Sequence, residues 1–188
     1  LKPPYGRISL WGVIPLGWSL DTVGILARSV EDTALLLQAM AGYDPSDPAS
    51  SAEPVGDYMA GLDGLPQPPC IGVVRDYFYS QAGAEVRDHT DTIAQRLADA
   101  GAKIGEVKLP QSFTDNTAAG VTTFHVEAAA VHEAEFKAGP DRYPPLTRAL
   151  IENGMNTPAI EYAQAQRTRV WFRNDIRETL HGVDVLLT

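Results

Sequence analysis

The sequence has few of the features that would indicate a disulfide-bonded, membrane-spanning or nucleic-acid-binding protein. Cys70 is its only cysteine, so the 188 residues cannot form an internal disulfide bond, which fits a reducing, cytoplasmic location. No apolar run approaches the roughly 20 residues that cross a bilayer. Asp and Glu number 24 against 15 Lys and Arg, and the net charge of −9 argues against binding to a nucleic-acid backbone. We therefore expect neither a nucleic-acid partner nor a membrane partner.

Motifs that hold metals or nucleotides are also missing. After the apolar run CIGVV, residues 70–74, the chain continues RDYFYSQAG, which matches neither GxGxxG nor the P-loop pattern. Histidine and glutamate side chains cluster within residues 125–135, but they lack the HExxH spacing of a zinc-binding helix. These residues are His125, Glu127, His132, Glu133 and Glu135. We therefore predict no metal ion and no cofactor, and we expect Cys70 to be a buried packing residue.

A strand–helix–strand succession gives the clearest indication of the fold. CIGVV predicts a buried strand, residues 84–100 a helix, and KIGEVKLP at 103–110 a second strand. Strands joined by such a crossover lie parallel, so the sequence predicts an α/β protein. A capping pattern at Ser29 and Asp32 predicts another helix, which Gly42 would end. Further helices are predicted at about 116–137, 145–153 and 157–181, and a last strand in VDVLLT, 183–188.

Ser19 and Asp21 share a polar loop in the stretch GWSLDTVG. A serine nucleophile needs a base, and no histidine lies nearby in the sequence. We therefore expect both side chains to hydrogen-bond the loop backbone rather than to perform chemistry.

Arg169 is the candidate binding residue. At 100° per residue, one face of the last helix carries Tyr162, Ala165, Phe172, Ile176 and Leu180, with Arg169 near its centre. A guanidinium on an apolar face needs an anionic partner. That partner is either an internal Asp or Glu, which is the commoner outcome, or a carboxylate-bearing ligand.

Two stretches near the amino terminus carry a family resemblance. The first, Lys-Pro-x-Tyr-Gly-Arg-x-Ser, is matched by Lys2, Pro3, Tyr5, Gly6, Arg7 and Ser9. The second, Ser-Leu-Asp-x-x-Gly-Pro-x-Ala-Arg-x-Val-x-Asp, is matched by Ser19, Leu20, Asp21, Gly24, Ala27, Arg28, Val30 and Asp32, with Ile25 where proline is usual. Glu127-Ala128, Tyr162 to Arg169 and VDVLLT follow in the same order. With these pieces the chain resembles the amidase signature family.

This resemblance implies a fold and an activity. Residues 1–188 would form a single domain, the middle-to-late portion of an α/β/α fold, with a partial mixed or parallel sheet and flanking helices. The family hydrolyses small-molecule carboxamides to a carboxylate and ammonia or amine through an acyl-serine intermediate. Its Ser–cis-Ser–Lys triad would lie before Leu1, so the isolated chain is expected to be inactive.

The resemblance also bears on the substrate. Arg169 resembles the arginine that binds the substrate carboxylate in the glutamine-using, tRNA-dependent amidotransferases of the family. However, AEFKAGPDRYPPL departs from the Asp-Gly-x-Arg-Tyr-Gly stretch of those enzymes, which favours a general amidase.

Two alternatives stay open, a stand-alone carboxylate-binding α/β module and an inactive structural domain. A fragment of a larger sheet should expose apolar surface, so we also predict either self-association, with a homo-oligomer as one form of it, or a swollen, irregular core.

Overall fold

The computed structural model describes residues 1–62, 64 and 67–188. The chain divides into two compact units. The first unit contains Leu1–Gly64 and Val121–Ala159, and the second contains Leu65–Gly120 and Ile160–Thr188.

The second unit contains a parallel three-stranded sheet. Strands β1 (Cys70–Val73), β2 (Lys103–Glu106) and β3 (Val185–Leu187) lie in the order β2-β1-β3. Helices α2 (Phe78–Gln81) and α3 (Ala84–Asp99) connect β1 to β2. The predicted parallel strand–helix–strand unit and the α/β class with flanking helices are therefore confirmed.

The central strand β1 is apolar, and its two edges pair with β2 and β3. Ile71, Val73 and Val74 are buried. Gly72 lies so close to its surroundings that a Cβ atom would be 2.5 Å from Val107 Cγ2. Cys70 is half-buried rather than buried as predicted, since it begins the strand, and its N–H donates to Asp184 Oδ2 at 2.7 Å.

The remaining helices are α1 (Val30–Met40), α4 (Ser112–Ala138), α5 (Pro145–Asn156) and α6 (Ala159–Thr179). Short 3₁₀ turns occur at Ala60–Leu62 and Pro140–Arg142. The predicted cap of α1 is confirmed, because the Ser29 Oγ accepts a hydrogen bond from the Asp32 N–H at 3.0 Å. Gly42 follows directly after the helix and its capping residue.

The first unit has its core between α4 and α5. Ala129 and Phe136 of α4 pack with the fully buried Ile151 of α5. Gly154 permits this close approach, because a Cβ there would overlap the backbone carbonyl oxygen of His125.

Several large apolar side chains stay in contact with solvent. Leu26 is 99% exposed, Ile14 87% and Leu146 86%. The predicted exposure of apolar surface is therefore confirmed. Within the described part of the chain, no helix combines the length and apolar character that a bilayer crossing requires.

Candidate functional site

A buried carboxylate anchors the loop that carries Ser19. Glu127, on α4, is only 4% exposed. Its Oε1 accepts a hydrogen bond from the Ser19 Oγ at 2.7 Å, and its Oε2 accepts one from the Ser19 N–H at 2.8 Å. Because one carboxylate takes both donors of the same residue, the contact fixes the position of the loop. Sequence reasoning expected Ser19 to bind backbone and did not foresee Glu127 as its partner.

Asp21 stabilises the same loop from within. Its carboxylate accepts hydrogen bonds from the N–H groups of Leu16, at 2.8 Å, and Gly17, at 3.1 Å. The Gly17 carbonyl accepts from the N–H groups of Leu20 and Asp21 at 2.9 and 2.8 Å. The prediction that Asp21 ties down the loop backbone is confirmed, and loop 16–21 has a fixed conformation without regular secondary structure.

A cleft of about 740 Å³ lies beside this loop in the first unit. Its aromatic walls are formed by Tyr5, Trp11 and Trp18. The Tyr5 hydroxyl donates to the Trp18 carbonyl at 2.6 Å, which joins two of these walls. Asp47, also in the lining, accepts hydrogen bonds from the Leu10 and Ala49 N–H groups, both at 2.8 Å.

Arg7 binds residues 53–58, which come after the lining residues of this cleft in the sequence. Its Nε donates to the Tyr58 hydroxyl at 2.7 Å, while Nη1 and Nη2 donate to the carbonyls of Glu53 and Pro54. The planar fork of a guanidinium suits such divergent acceptors. Arg7 therefore holds residues 53–58 in place, a role that its sequence context did not reveal.

Arg169 lies on α6 and is half-buried. Its Nη1 donates to Gln166 Oε1 at 3.1 Å, one turn earlier on the helix. The predicted apolar face is confirmed from Tyr162 to Ile176, where Ala165 is buried and Phe172 is half-buried. The ring centroids of Phe172 and Phe113 are 5.9 Å apart. Leu180, at the end of this face, is 38% exposed. The role of Arg169 in substrate binding stays a prediction.

Three of the candidate metal ligands of α4 have separate partners. Glu127 binds Ser19, and the His132 Nδ1 lies 3.3 Å from the Tyr143 hydroxyl. Lys137 binds Glu133 at 2.5 Å, and this contact holds the pKa of Glu133 below its usual value. Within the described residues, no three His, Cys, Asp or Glu side chains converge on a possible metal position.

A polar cluster lies at the carboxyl end of β1, the end at which parallel sheets bind ligands. Arg75 Nη2 contacts Asp91 Oδ1 at 2.7 Å, and the Tyr79 hydroxyl donates to the same oxygen at 2.9 Å. The Arg75 hydrogen bond, followed by that of Tyr79, lowers the pKa of Asp91. Desolvation, followed by the Asp91 hydrogen bond, raises the pKa of Tyr79. This cluster joins the loop after β1 to α3.

Comparison with known proteins identifies the family. The family model described as Amidase matches residues 1–188. An amidase of Pseudomonas putida is 36% identical over 186 residues, covering 99% of this chain and 40% of that protein. A glutamyl-tRNA(Gln) amidotransferase chain of Pseudomonas fluorescens strain Pf0-1 is 44% identical over 216 aligned positions, covering 100% of this chain and 44% of that protein.

The fold agrees with these matches. The chain superposes with a TM-score of 0.90 on an inhibitor-bound vestigial protein complex that reveals the evolutionary origins of an s-triazine catabolic enzyme. The match is 30% identical and covers 98% of this chain and 39% of that chain. The chain thus spans about two fifths of the length of the relatives it matches. Its sequence and its fold both place it in the amidase family.

Proposed function

We propose that this chain is part of an enzyme that hydrolyses a small-molecule carboxamide to a carboxylate and ammonia or an amine. The observation that carries the proposal is the family match along all 188 residues, supported by the 36% identity to the Pseudomonas putida amidase. In this reaction a serine hydroxyl attacks the amide carbonyl carbon, and the C–N bond breaks as the nitrogen takes up a proton. Water then hydrolyses the acyl-serine ester.

The residues of this chain would support the reaction rather than perform it. By family resemblance, the serine, its cis-serine and its lysine belong to sequence before Leu1. Ser19 would not replace that nucleophile, because Glu127 takes both its hydroxyl and its N–H. The Glu127 contact instead fixes loop 16–21, and Arg169 is the candidate for binding a carboxylate on the substrate.

An assay of amide hydrolysis tests this proposal. The purified 188-residue chain and the product of the whole reading frame that encodes it are each given simple aliphatic amides, aryl amides and glutamine, and released ammonia or amine is measured. We expect hydrolysis only by the longer product. Sustained turnover by the 188-residue chain, free of contaminating enzyme, would contradict the assignment of the triad to sequence outside it. Carboxylate binding without hydrolysis by either protein would favour the stand-alone binding module.

A further inference from the structure

The cleft between Tyr5, Trp11 and Trp18 has the dimensions of a ligand-binding site. Its volume of about 740 Å³ lies within the range of roughly 300–1,000 Å³ that is usual for small-molecule pockets. Trp11 is 71% exposed and Trp18 54%, so their rings are accessible to a ligand. Leu10, Val13 and Pro15 add aliphatic surface beside them.

The charged side chains that line the cleft are all negative. Among the described residues that line it, Asp21 and Asp47 carry carboxylates and none is Lys, Arg or His. Backbone N–H groups hold both carboxylates in place. The charged side chains that line the cleft are therefore both acidic, although Asp47 is only 7% exposed.

Aromatic faces and carboxylates together form the recognition chemistry of an organic ammonium ion. The electron-rich faces of Trp and Tyr attract a cation, and indole is the strongest of these rings. A neutral apolar ligand would use the aromatic walls but gain nothing from Asp21 and Asp47. We propose that this cleft binds an organic ammonium ion that carries an aromatic or apolar group.

The walls of the site are fixed before a ligand arrives. Glu127 and Asp21 hold loop 16–21, which carries Trp18, and the Tyr5 hydroxyl binds the Trp18 carbonyl. Binding of a ligand therefore orders fewer side chains and less backbone than binding to a mobile loop would. The smaller loss of conformational entropy favours a higher affinity.

Tryptophan fluorescence tests the proposal directly. The chain has three tryptophans, so Trp171→Phe leaves only Trp11 and Trp18 as reporters, while Phe retains a ring under Arg167. This variant is titrated with phenethylammonium, hydrocinnamate and hydrocinnamide, which share a phenyl group and differ in charge. We expect phenethylammonium to bind at least about tenfold more tightly than either of the others. Its affinity should also fall as salt is added, because salt screens the carboxylates.

Two variants separate binding from folding. Trp11→Leu should weaken phenethylammonium binding by about fivefold without unfolding the protein, because the side chain is mostly exposed. Asp47→Asn keeps the size of the side chain and should reduce the preference for the cation over hydrocinnamide. Equal binding of the three probes, no fluorescence change, or full affinity in Trp11→Leu would overturn the proposal. If the fluorescence changes with protein concentration but not with the charge of the probe, the cleft is a contact between two copies of the chain. That result would also overturn the proposal.

Discussion

Glu127 and Ser19 form a contact for which we expect a large effect of a single substitution. Glu127→Ala should lower the free energy of unfolding by about 3 kcal/mol, because the half-buried Ser19 N–H and hydroxyl lose a charged acceptor. Glu127→Gln keeps one acceptor oxygen and should cost about half as much. Urea denaturation measures both values.

Glu135→Gln is the matched control for this contact, since Glu135 is exposed on the same helix. It should change the free energy of unfolding by no more than about 0.5 kcal/mol. Equal costs for Glu127→Ala and Glu135→Gln would show that Glu127 does not hold the loop.

Asp91 should make stability depend on pH. Its pKa in the folded protein lies below its usual value, mainly because Arg75 donates a hydrogen bond to it. The ionised carboxylate therefore stabilises the folded state above the unfolded pKa of about 4, and this stabilisation is lost as pH falls through the folded pKa. Wild type and Asp91→Asn should differ most in free energy of unfolding near neutral pH and converge in acid.

The control for this pH dependence is Asp88→Asn, which changes an exposed carboxylate on the same helix. Urea denaturation between about pH 3 and 7 measures all three proteins. An Asp91→Asn protein that loses stability in acid in parallel with wild type would exclude a contribution from Asp91.

Arg169 is predicted to act on the substrate rather than on the fold. In the catalytically complete protein, Arg169→Ala should raise KM for an amide substrate that carries a carboxylate by at least about tenfold, because a lost charged hydrogen bond costs about 1.5–3 kcal/mol. KM for an aliphatic amide without a carboxylate should not change. Arg173→Ala, an exposed position on α6, is the control for loss of charge on that helix. A rise in KM for both amides, or for neither, would contradict the proposed role.

At the scale of elements, the packing of α4 against α5 depends on a glycine. Gly154→Ala should destabilise the protein by about 3 kcal/mol, because the new methyl group meets the backbone carbonyl of His125, which cannot rotate away. Gly120→Ala, on α4, has open space around its Cβ and should stabilise by up to about 1 kcal/mol. Thermal unfolding compares the two, and shifts of the same sign would argue against this account.

Helices, caps and strand pairs that depend on residues close together in the sequence could be predicted. Contacts between residues that lie far apart in the sequence could not. The Ser29 cap and the parallel β1–β2 pair follow from local patterns and were found as predicted. Helix α4 begins at Ser112 rather than near residue 116. Thr114, Asp115 and Asn116 favour a loop, but the ring of Phe113 packs on Phe172, and tertiary contacts outweigh local propensity.

The same limit applies to the sheet and the candidate site. Nothing in VDVLLT indicates that β3 would lie beside β1 rather than β2. The carboxylate of Glu127 could be recognised as unusual from the alanines that follow it, but its partner Ser19 depends on how distant segments fold together.

At the scale of the whole molecule, the exposed apolar side chains predict self-association. Ile14 and Leu26 are almost fully exposed, and water-exposed apolar surface favours contacts between copies. The sedimentation coefficient of the 188-residue chain should therefore rise with protein concentration. Ile14→Lys combined with Leu26→Lys should shift the protein toward monomer. A monomer at every concentration tested would contradict this prediction.

The link between Ser19 and Glu127 also constrains events during translation. The two residues are 108 positions apart, so at about 5–20 residues per second the ribosome completes Glu127 roughly 5–20 s after Ser19. During that interval the loop that carries Trp18 lacks the Glu127 anchor and has only its local contacts, such as those of Asp21. This loop therefore stays accessible to chaperones and proteases for longer than its distance from the ribosome alone would suggest, until α4 emerges.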